Sequence, residues 1–488
     1  MTELIRKNVF SEGHPAPPDA QQRFAPHVPK RPEFRIEVPP PPPAPDFPVV
    51  PTRIEDTGLT AKFLGALLLK SLYLLGIETN AELAKHLKLS QLVADQLLGS
   101  LKQQGLVEVR GSAAANVPIL RYGLTNAGRE LAIDACKQCE YVGAAPVSLK
   151  AFQDQVLKQT IQGEQISVED LCACLAHLVL PGRLIQRLGP AVNSARALLV
   201  YGPPGNGKTA ISESIGNIFR QPVFVPHCFE VDGQVIRMFD PTVHAEVPSR
   251  RASDVADETN LLRKKPDPRW VKCRRPVVLT GGELTLDMLD LRYDRTSKFY
   301  EAPLQVKALG GLFIIDDFGR QMVQPMDLLN RWIIPLERRV DYLTIHTGKK
   351  FDIPFDELVI FSTNIHPEKL MDAALLRRVK YKFRIDPPST DDFLLIFQRV
   401  CTHFGLELPD EILNYLMEDF YPRTGTGCAG FHPMFIVEHC IATCRYKGIT
   451  PHLSLDLVKD ALENLVISEL PDHPADNPAA AVLQAKVS

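Results

Sequence analysis

The sequence predicts an α/β core built on a parallel sheet, with a small α+β unit before it and a helical segment after it. Three observations carry that prediction. Short apolar runs at Ala197 to Tyr201, Leu312 to Ile315 and Leu358 to Ser362 have the length and character of buried strands, and each leads into a polar or glycine-rich turn. Helical patterning follows the first run, and after Pro387-Pro388 the chain reads as helix only. With 488 residues, 45% of them hydrophobic, there is material for two or three folded units with a sizeable core.

Composition narrows the function classes. Lys and Arg total 55 against 58 Asp and Glu, a net charge of −3, which excludes nucleic-acid binding through bulk basicity. The stretch Met1-Thr2-Glu3-Leu4-Ile5-Arg6-Lys7 lacks the apolar run of a secretory signal. The longest apolar stretch, Phe63 to Leu75, is broken by Lys70 and falls short of the ~18–20 residues a membrane span needs. The expectation is a cytoplasmic protein with no membrane span. Ten cysteines in a chain of this length do not make a disulfide scaffold. Cys136-Lys-Gln-Cys139 has zinc-knuckle spacing but no second ligand pair, so no metal is assigned to cysteine.

In chain order, residues 1–51 hold 14 of the 41 prolines, including Pro39-Pro40-Pro41-Pro42-Pro43. Proline fixes φ and lacks an amide donor, so this stretch is expected to be a disordered arm with a polyproline II segment. Residues 52–140 form the next unit. An apolar helix ends at Gly76, and Thr79 or Asn80 caps a second helix. Ser90 caps a third, whose apolar face is Leu92, Val93, Leu97 and Leu101, up to Gly105. Leu106 to Val109 and Leu120 to Leu124 alternate as a β-ribbon, and Thr125 opens a further helix. Three helices followed by a two-stranded wing resemble a winged-helix domain. From Ile54 to Ala135 eight basic residues face eight acidic ones. The helix that would read a duplex, Ser90 to Gln104, carries one Lys and no Arg. Docking to protein is therefore favoured over DNA, which stays open. Residues 141–180 read as a helical linker.

The strand Ala197 to Tyr201 runs into Gly202-Pro203-Pro204-Gly205-Asn206-Gly207-Lys208-Thr209, with a helix from Ala210 to Phe219 behind it. This is G-x-x-x-x-G-K-[ST] in strand–loop–helix context, a P-loop. Its glycines turn backbone N–H groups toward phosphate oxygens, and the helix adds its positive end. The nucleotide-binding segment is Gly202 to Ala210. Lys208 is expected to neutralise the β- and γ-phosphates of ATP, and the Thr209 hydroxyl to hold Mg²⁺. Leu312-Phe313-Ile314-Ile315 ends in Asp316 and Asp317. Asp316 is expected as the second Mg²⁺ ligand and Asp317 as the carboxylate that activates water. The strand Leu358 to Ser362 ends in Thr363-Asn364, a polar tip able to reach the attacking water. A helix from Ala373 then closes with Arg377-Arg378.

P-loop, Asp-Asp strand, Asn-tipped strand and paired arginines, in that order, resemble the AAA+ ATPase family from about Pro181 to Leu470. The resemblance implies a catalytic set of Lys208, Asp317, Asn364 (sensor 1) and Arg377 or Arg378 as an arginine finger reaching a neighbour's nucleotide. It also implies a homo-oligomeric ring, with six subunits the expected count. The run Gly310-Gly311 through Arg338-Arg339-Val340 to Phe355-Asp356-Glu357 looks MoxR-like. The core is assigned to 181–386, the helical lid to 387–470 and a disordered tail to 471–488. Lids of this family often place a sensor 2 Arg where Gly430-Phe431-His432-Pro433 leads to Met434 here, so lid sensing through an arginine is not supplied.

Thr209 and Asp316 lie further apart than one βαβ unit needs, so elements are inserted. A β-rich insertion over about 276–310 is expected, with strands at Pro276 to Gly282, Leu284 to Tyr293 and Lys298 to Lys307 around a turn at Asp294 to Ser297. Substrate contact and scaffold are both open for it. The basic cluster Arg263-Lys264-Lys265, Arg269, Lys272, Arg274-Arg275 reads as solvated loop or as a seat for an anionic partner. The function expected is an ATP-hydrolysing ring that remodels a protein client. The alternatives are a DNA-directed ATPase or transcription regulator, and a slow ATP-dependent assembly switch prompted by Asp317 and Met434.

Overall fold

A computed structural model describes residues 47–114, 117–248 and 265–465. The arm up to residue 46, Arg263 and Lys264 of the basic cluster, and the tail expected at 471–488 lie outside the described residues.

Local chemistry sets the N-terminal elements. Helices Ala61–Leu75, Asn80–Leu87 and Gln91–Gln103 each begin at a side-chain cap. Thr60 accepts from Phe63 N, Thr79 from Glu82 N and Ser90 from Val93 N. An antiparallel hairpin follows, Val107–Ala114 with Val117–Leu124, and then helix Asn126–Gln138. Leu64, Leu68, Leu83, Leu87, Val93 and Leu97 make one buried core, each contributing roughly 1.5–3 kcal/mol by leaving water. Gly128 has to be glycine, because a Cβ there would lie 1.9 Å from the Leu106 carbonyl oxygen.

Lys70, which interrupts the apolar run in the sequence, is buried. Its Nζ donates to the carbonyls of Cys139 (2.9 Å) and Tyr141 (2.7 Å), pinning the first helix to the chain beyond the fourth. The unit is also fastened to the rest of the protein. Buried Arg269 pairs with Asp267 at 2.8 Å and donates to the carbonyls of Thr57 and Pro146.

Five parallel strands form the central sheet, in the order Tyr381–Arg384, Leu198–Tyr201, Leu358–Thr363, Leu312–Ile315, Val277–Thr280. Helices Gly182–Asn193 and Lys208–Gly216 cover one face, where Ile211, Ile215 and Leu188 pack on Leu198, Ile314 and Ile360. Pro325–Arg331 and Trp332 pack with Phe313 and Phe361 on the other. This is an α/β core of five parallel strands with helices on both faces, followed by a helical lid.

The structure corrects three expectations. Val277–Thr280, expected to start the insertion, is an edge strand of the central sheet, with Val277 opposite Leu312 and Thr280 opposite Ile315. Of the two strands expected next, only Arg292–Asp294 and Phe299–Glu301 are extended; Leu286–Leu289 is a 3₁₀ turn and Leu304–Lys307 a short helix behind Pro303. The turn between them stands, because Asp294 Oδ1 accepts from the amides of Thr296 and Ser297. Residues 141–180 are not helix alone. Val147–Ser148 pairs in parallel with Cys228–Val231, joining a second five-stranded sheet completed by Gln234–Arg237, Phe299–Glu301 and Arg292–Asp294. The β-rich material outside the core thus begins at residue 147 rather than 276.

The lid comprises Thr390–Phe404, Asp410–Asn414 running on as a π turn Tyr415–Phe420, Tyr421–Thr424, His432–Lys447 and Leu455–Leu465, around buried Phe393, Phe397, Ile436 and Val458. Among the described residues no helix is long and apolar enough to cross a membrane.

Candidate nucleotide site

The buried strand Leu198–Tyr201 delivers the chain to Gly202, whose φ of 147° and closeness to Ile385 O (2.1 Å from a built Cβ) exclude any side chain. Gly205 and Gly207 also take positive φ, of 77° and 79°, and helix Lys208–Gly216 starts immediately behind them. Asn206 Nδ2 lies 3.4 Å from the carbonyls of Pro203 and Pro204, bracing the loop from inside. Lys208 is buried and its Nζ donates to Pro203 O at 2.8 Å, leaving donors for phosphate oxygens. Burial lowers its pKa from the ordinary value, and the carboxylates of Asp316 and Asp317 oppose that shift.

Thr209 Oγ1 donates to Asp316 Oδ2 at 2.7 Å, bringing the two expected magnesium ligands together. A hydroxyl and a carboxylate are hard oxygen donors, and Mg²⁺ is typically held by one or two carboxylates plus substrate phosphates, so these residues fit the ion. Among the described residues no group of three or more His, Cys, Asp or Glu could hold a metal.

Asp317 lies beside this pair with φ at 47°, a left-handed conformation costly outside glycine. The surroundings hold it there. Gln321 Nε2 donates to Asp316 O at 2.9 Å, Phe318 N to Ser362 O at 2.7 Å, and Thr363 Oγ1 to Phe318 O at 2.7 Å. Asn364 Nδ2 donates to Asp317 Oδ1 at 2.9 Å, while Asn364 Oδ1 is buried without a partner. Sequence reasoning missed Gln321 and Thr363, whose roles come from a turn no motif describes.

Arg377 and Arg378 lie elsewhere. Asp372 caps their short helix. Arg378 Nε donates to Glu337 Oε1 at 2.6 Å, whereas exposed Arg377 donates to Ala373 O of its own helix. Both line a cavity of about 470 Å³ with Arg196, Glu337 and Lys380, and no P-loop residue borders it. A second cavity, of about 530 Å³, does adjoin the P-loop. Leu180, Pro181, Arg183, Asn206, Asp386 and Gly430 are among its walls. Its size and mixed lining suit a nucleoside. Pro181, Asn206, Gly430 and the proline pair 387–388 all stand out in the sequence, but nothing there shows that they share one cavity.

The P-loop, the carboxylate pair on the neighbouring turn and the helical lid define the class as P-loop NTPase-like in fold. A family model described as Domain of unknown function (DUF8689) matches residues 389–464, the lid helices. No curated protein matches the chain. Solved structures that match part of the chain include NtrX from Brucella abortus at 14% identity and TM-score 0.36, where the alignment covers 64% of this chain and 60% of that one. A second NtrX structure, in complex with ADP, matches at 14% identity and TM-score 0.36 over 73% of this chain and 70% of that one. Domain III of the Thermotoga maritima replication initiation protein DnaA matches at 15% identity and TM-score 0.32, over 60% of this chain and 97% of that domain.

Proposed function

We propose that the chain binds ATP with Mg²⁺ and hydrolyses it, and that it does so as a homo-oligomeric ring whose work is to remodel a protein client. The observation that carries the reading is the Thr209–Asp316 contact beside a glycine-rich loop and a buried lysine. Thr209 and Asp316 would hold Mg²⁺, which supplies charge neutralisation at the β- and γ-phosphate oxygens. Lys208 neutralises the same oxygens from the loop side. Asp317 takes the proton of the attacking water, and Asn364, tethered to it, positions that water. The exposed guanidinium of Arg377, outside its own chain's P-loop site, is free to reach a neighbour's γ-phosphate.

One observation favours a slower variant of the same reading. The Asn364 amide holds one oxygen of Asp317, which leaves only the other to take the proton of water. That supports an ATP-dependent assembly switch with low turnover. The balanced charge of residues 54–135 continues to favour protein over DNA as the partner of the N-terminal unit.

The test is phosphate release by the purified chain with ATP and Mg²⁺, run alongside equilibrium binding of a nonhydrolysable ATP analogue. Binding with turnover supports the ATPase, binding without turnover supports the switch, and no binding overturns both.

A further inference from the structure

Among the described residues the lid has no arginine that hydrogen-bonds to the P-loop. Of its described arginines, Arg399 donates to Ala176 O and Leu178 O, Arg423 pairs with Asp419, and Arg445 lies in the last turn of its helix. Met434, at the position expected for a sensing arginine, is 38% exposed. The lid nonetheless touches the loop directly. The Gly430 amide donates to Asn206 Oδ1 at 3.1 Å, while the other end of that side chain faces the loop's own Pro203 and Pro204 carbonyls. Phe431 lies against Gly205 so closely that a Cβ on the glycine would be 2.2 Å from the ring.

Behind Phe431 the contacts continue inward. Its ring meets His432 edge-on at 4.6 Å, His432 stacks on Tyr421 at 5.7 Å, and Tyr421 meets Phe393 edge-on at 5.7 Å in the lid core. The Tyr421 hydroxyl and His432 Nδ1 are 2.9 Å apart, locking the two rings together. A continuous row of packed rings therefore runs from the backbone of Gly205 to the centre of the lid. Close-packed side chains transmit a displacement because they have no free volume to absorb it.

We propose that Asn206 and Phe431 are the positioning residues that couple nucleotide in the P-loop to the lid, in place of an arginine. The inference rests on the nucleotide-binding reading above. Phosphates drawing the N–H groups of Gly205 to Lys208 inward fix the surface on which Phe431 packs and the orientation in which Asn206 receives Gly430. The signal is steric and carried by one neutral hydrogen bond, so it differs from an arginine in responding to loop geometry rather than to γ-phosphate charge.

Hydrogen–deuterium exchange of the full chain, with and without a nonhydrolysable ATP analogue and Mg²⁺, tests this. In the wild type the analogue slows exchange at Gly430 and along helix His432–Lys447. Phe431→Ala and Asn206→Ala each reduce that nucleotide-dependent slowing at least severalfold, at analogue concentrations saturating for each variant, and Phe431→Leu restores part of it. Asn206→Ala leaves the lid core intact, so it answers the question even if Phe431→Ala loosens the lid. Wild-type slowing retained in both alanine variants overturns the coupling alone. A wild-type chain that binds no analogue overturns the nucleotide reading, and the coupling with it.

Discussion

The hydroxyl of Thr209 and the carboxylate of Asp316, 107 residues apart in the chain, are joined by a 2.7 Å hydrogen bond across the central sheet. Their strands are not neighbours: Leu358–Thr363 lies between Leu198–Tyr201 and Leu312–Ile315. The contact therefore fixes the P-loop helix against the acidic turn over the top of a third strand, whose own tip, Asn364, holds Asp317. Four polar groups thus converge at the C-terminal ends of three parallel strands, where open α/β sheets bind ligands.

Lys208→Ala removes a buried ammonium aimed into the loop. A charge-assisted hydrogen bond is worth about 1.5–3 kcal/mol, so affinity for an ATP analogue should fall roughly 10- to 150-fold. Titration with a fluorescent analogue measures it. Unchanged affinity would remove Lys208 from the site.

Asp317→Asn keeps the size of the side chain but cannot accept a proton. Binding should be retained while turnover drops by roughly 10²–10⁴, the usual contribution of a general base. Single-turnover phosphate release separates the two. Turnover near that of the wild type would move the base to another carboxylate.

Arg377→Ala should abolish hydrolysis and spare nucleotide binding, with a loss of roughly 10³–10⁵ in rate if the guanidinium serves a neighbouring site. Arg378→Ala should cost less, because Arg378 is already committed to Glu337 at 2.6 Å. Mixing the Arg377 variant with Asp316→Ala should recover activity, since one mixed contact pairs an intact pocket with an intact arginine. Mixed oligomers, confirmed by mass, that stay inactive at every ratio would exclude an arginine acting in trans.

Glu357 yields a pH prediction. It is fully buried, neither carboxyl oxygen has a hydrogen-bond partner, and burial pushes its pKa well above the ordinary 4.5, with Arg339 opposing the shift. Below 4.5 both folded and unfolded chains carry the proton and no penalty arises. As pH rises past 4.5 the unfolded chain releases it first, so the folded state loses stability by up to about 1.4 kcal/mol per pH unit until the folded pKa is passed. Glu357→Gln abolishes this dependence. Its stability relative to the wild type should therefore be greater near pH 8 than near pH 5, read from urea unfolding at both. Parallel curves would show that Glu357 does not titrate abnormally.

Much of the site was legible because its signals are local. A glycine that must take positive φ, a lysine and threonine at fixed offsets from it, two acids after four apolar residues and the Ser and Thr helix caps are all set within a few residues. The positions of the strands that carry Lys208, Asp316 and Asn364 followed from the same short-range patterns. Which strands neighbour one another did not. Val277–Thr280 read as a strand of an insertion and Val147–Ser148 as part of a helical linker, yet one joins the central sheet and the other the second sheet, because ladder hydrogen bonds come from the backbone and carry no residue label. The same limit hid the Asn364–Asp317 contact, the commitment of Arg378 to Glu337, and the seating of Gly430 and Phe431 on the P-loop. The sequence by itself determined the chemistry each segment carries. Only the tertiary structure decided which of those groups meet, since their contacts depend on sheet order and on close packing between segments far apart in the chain.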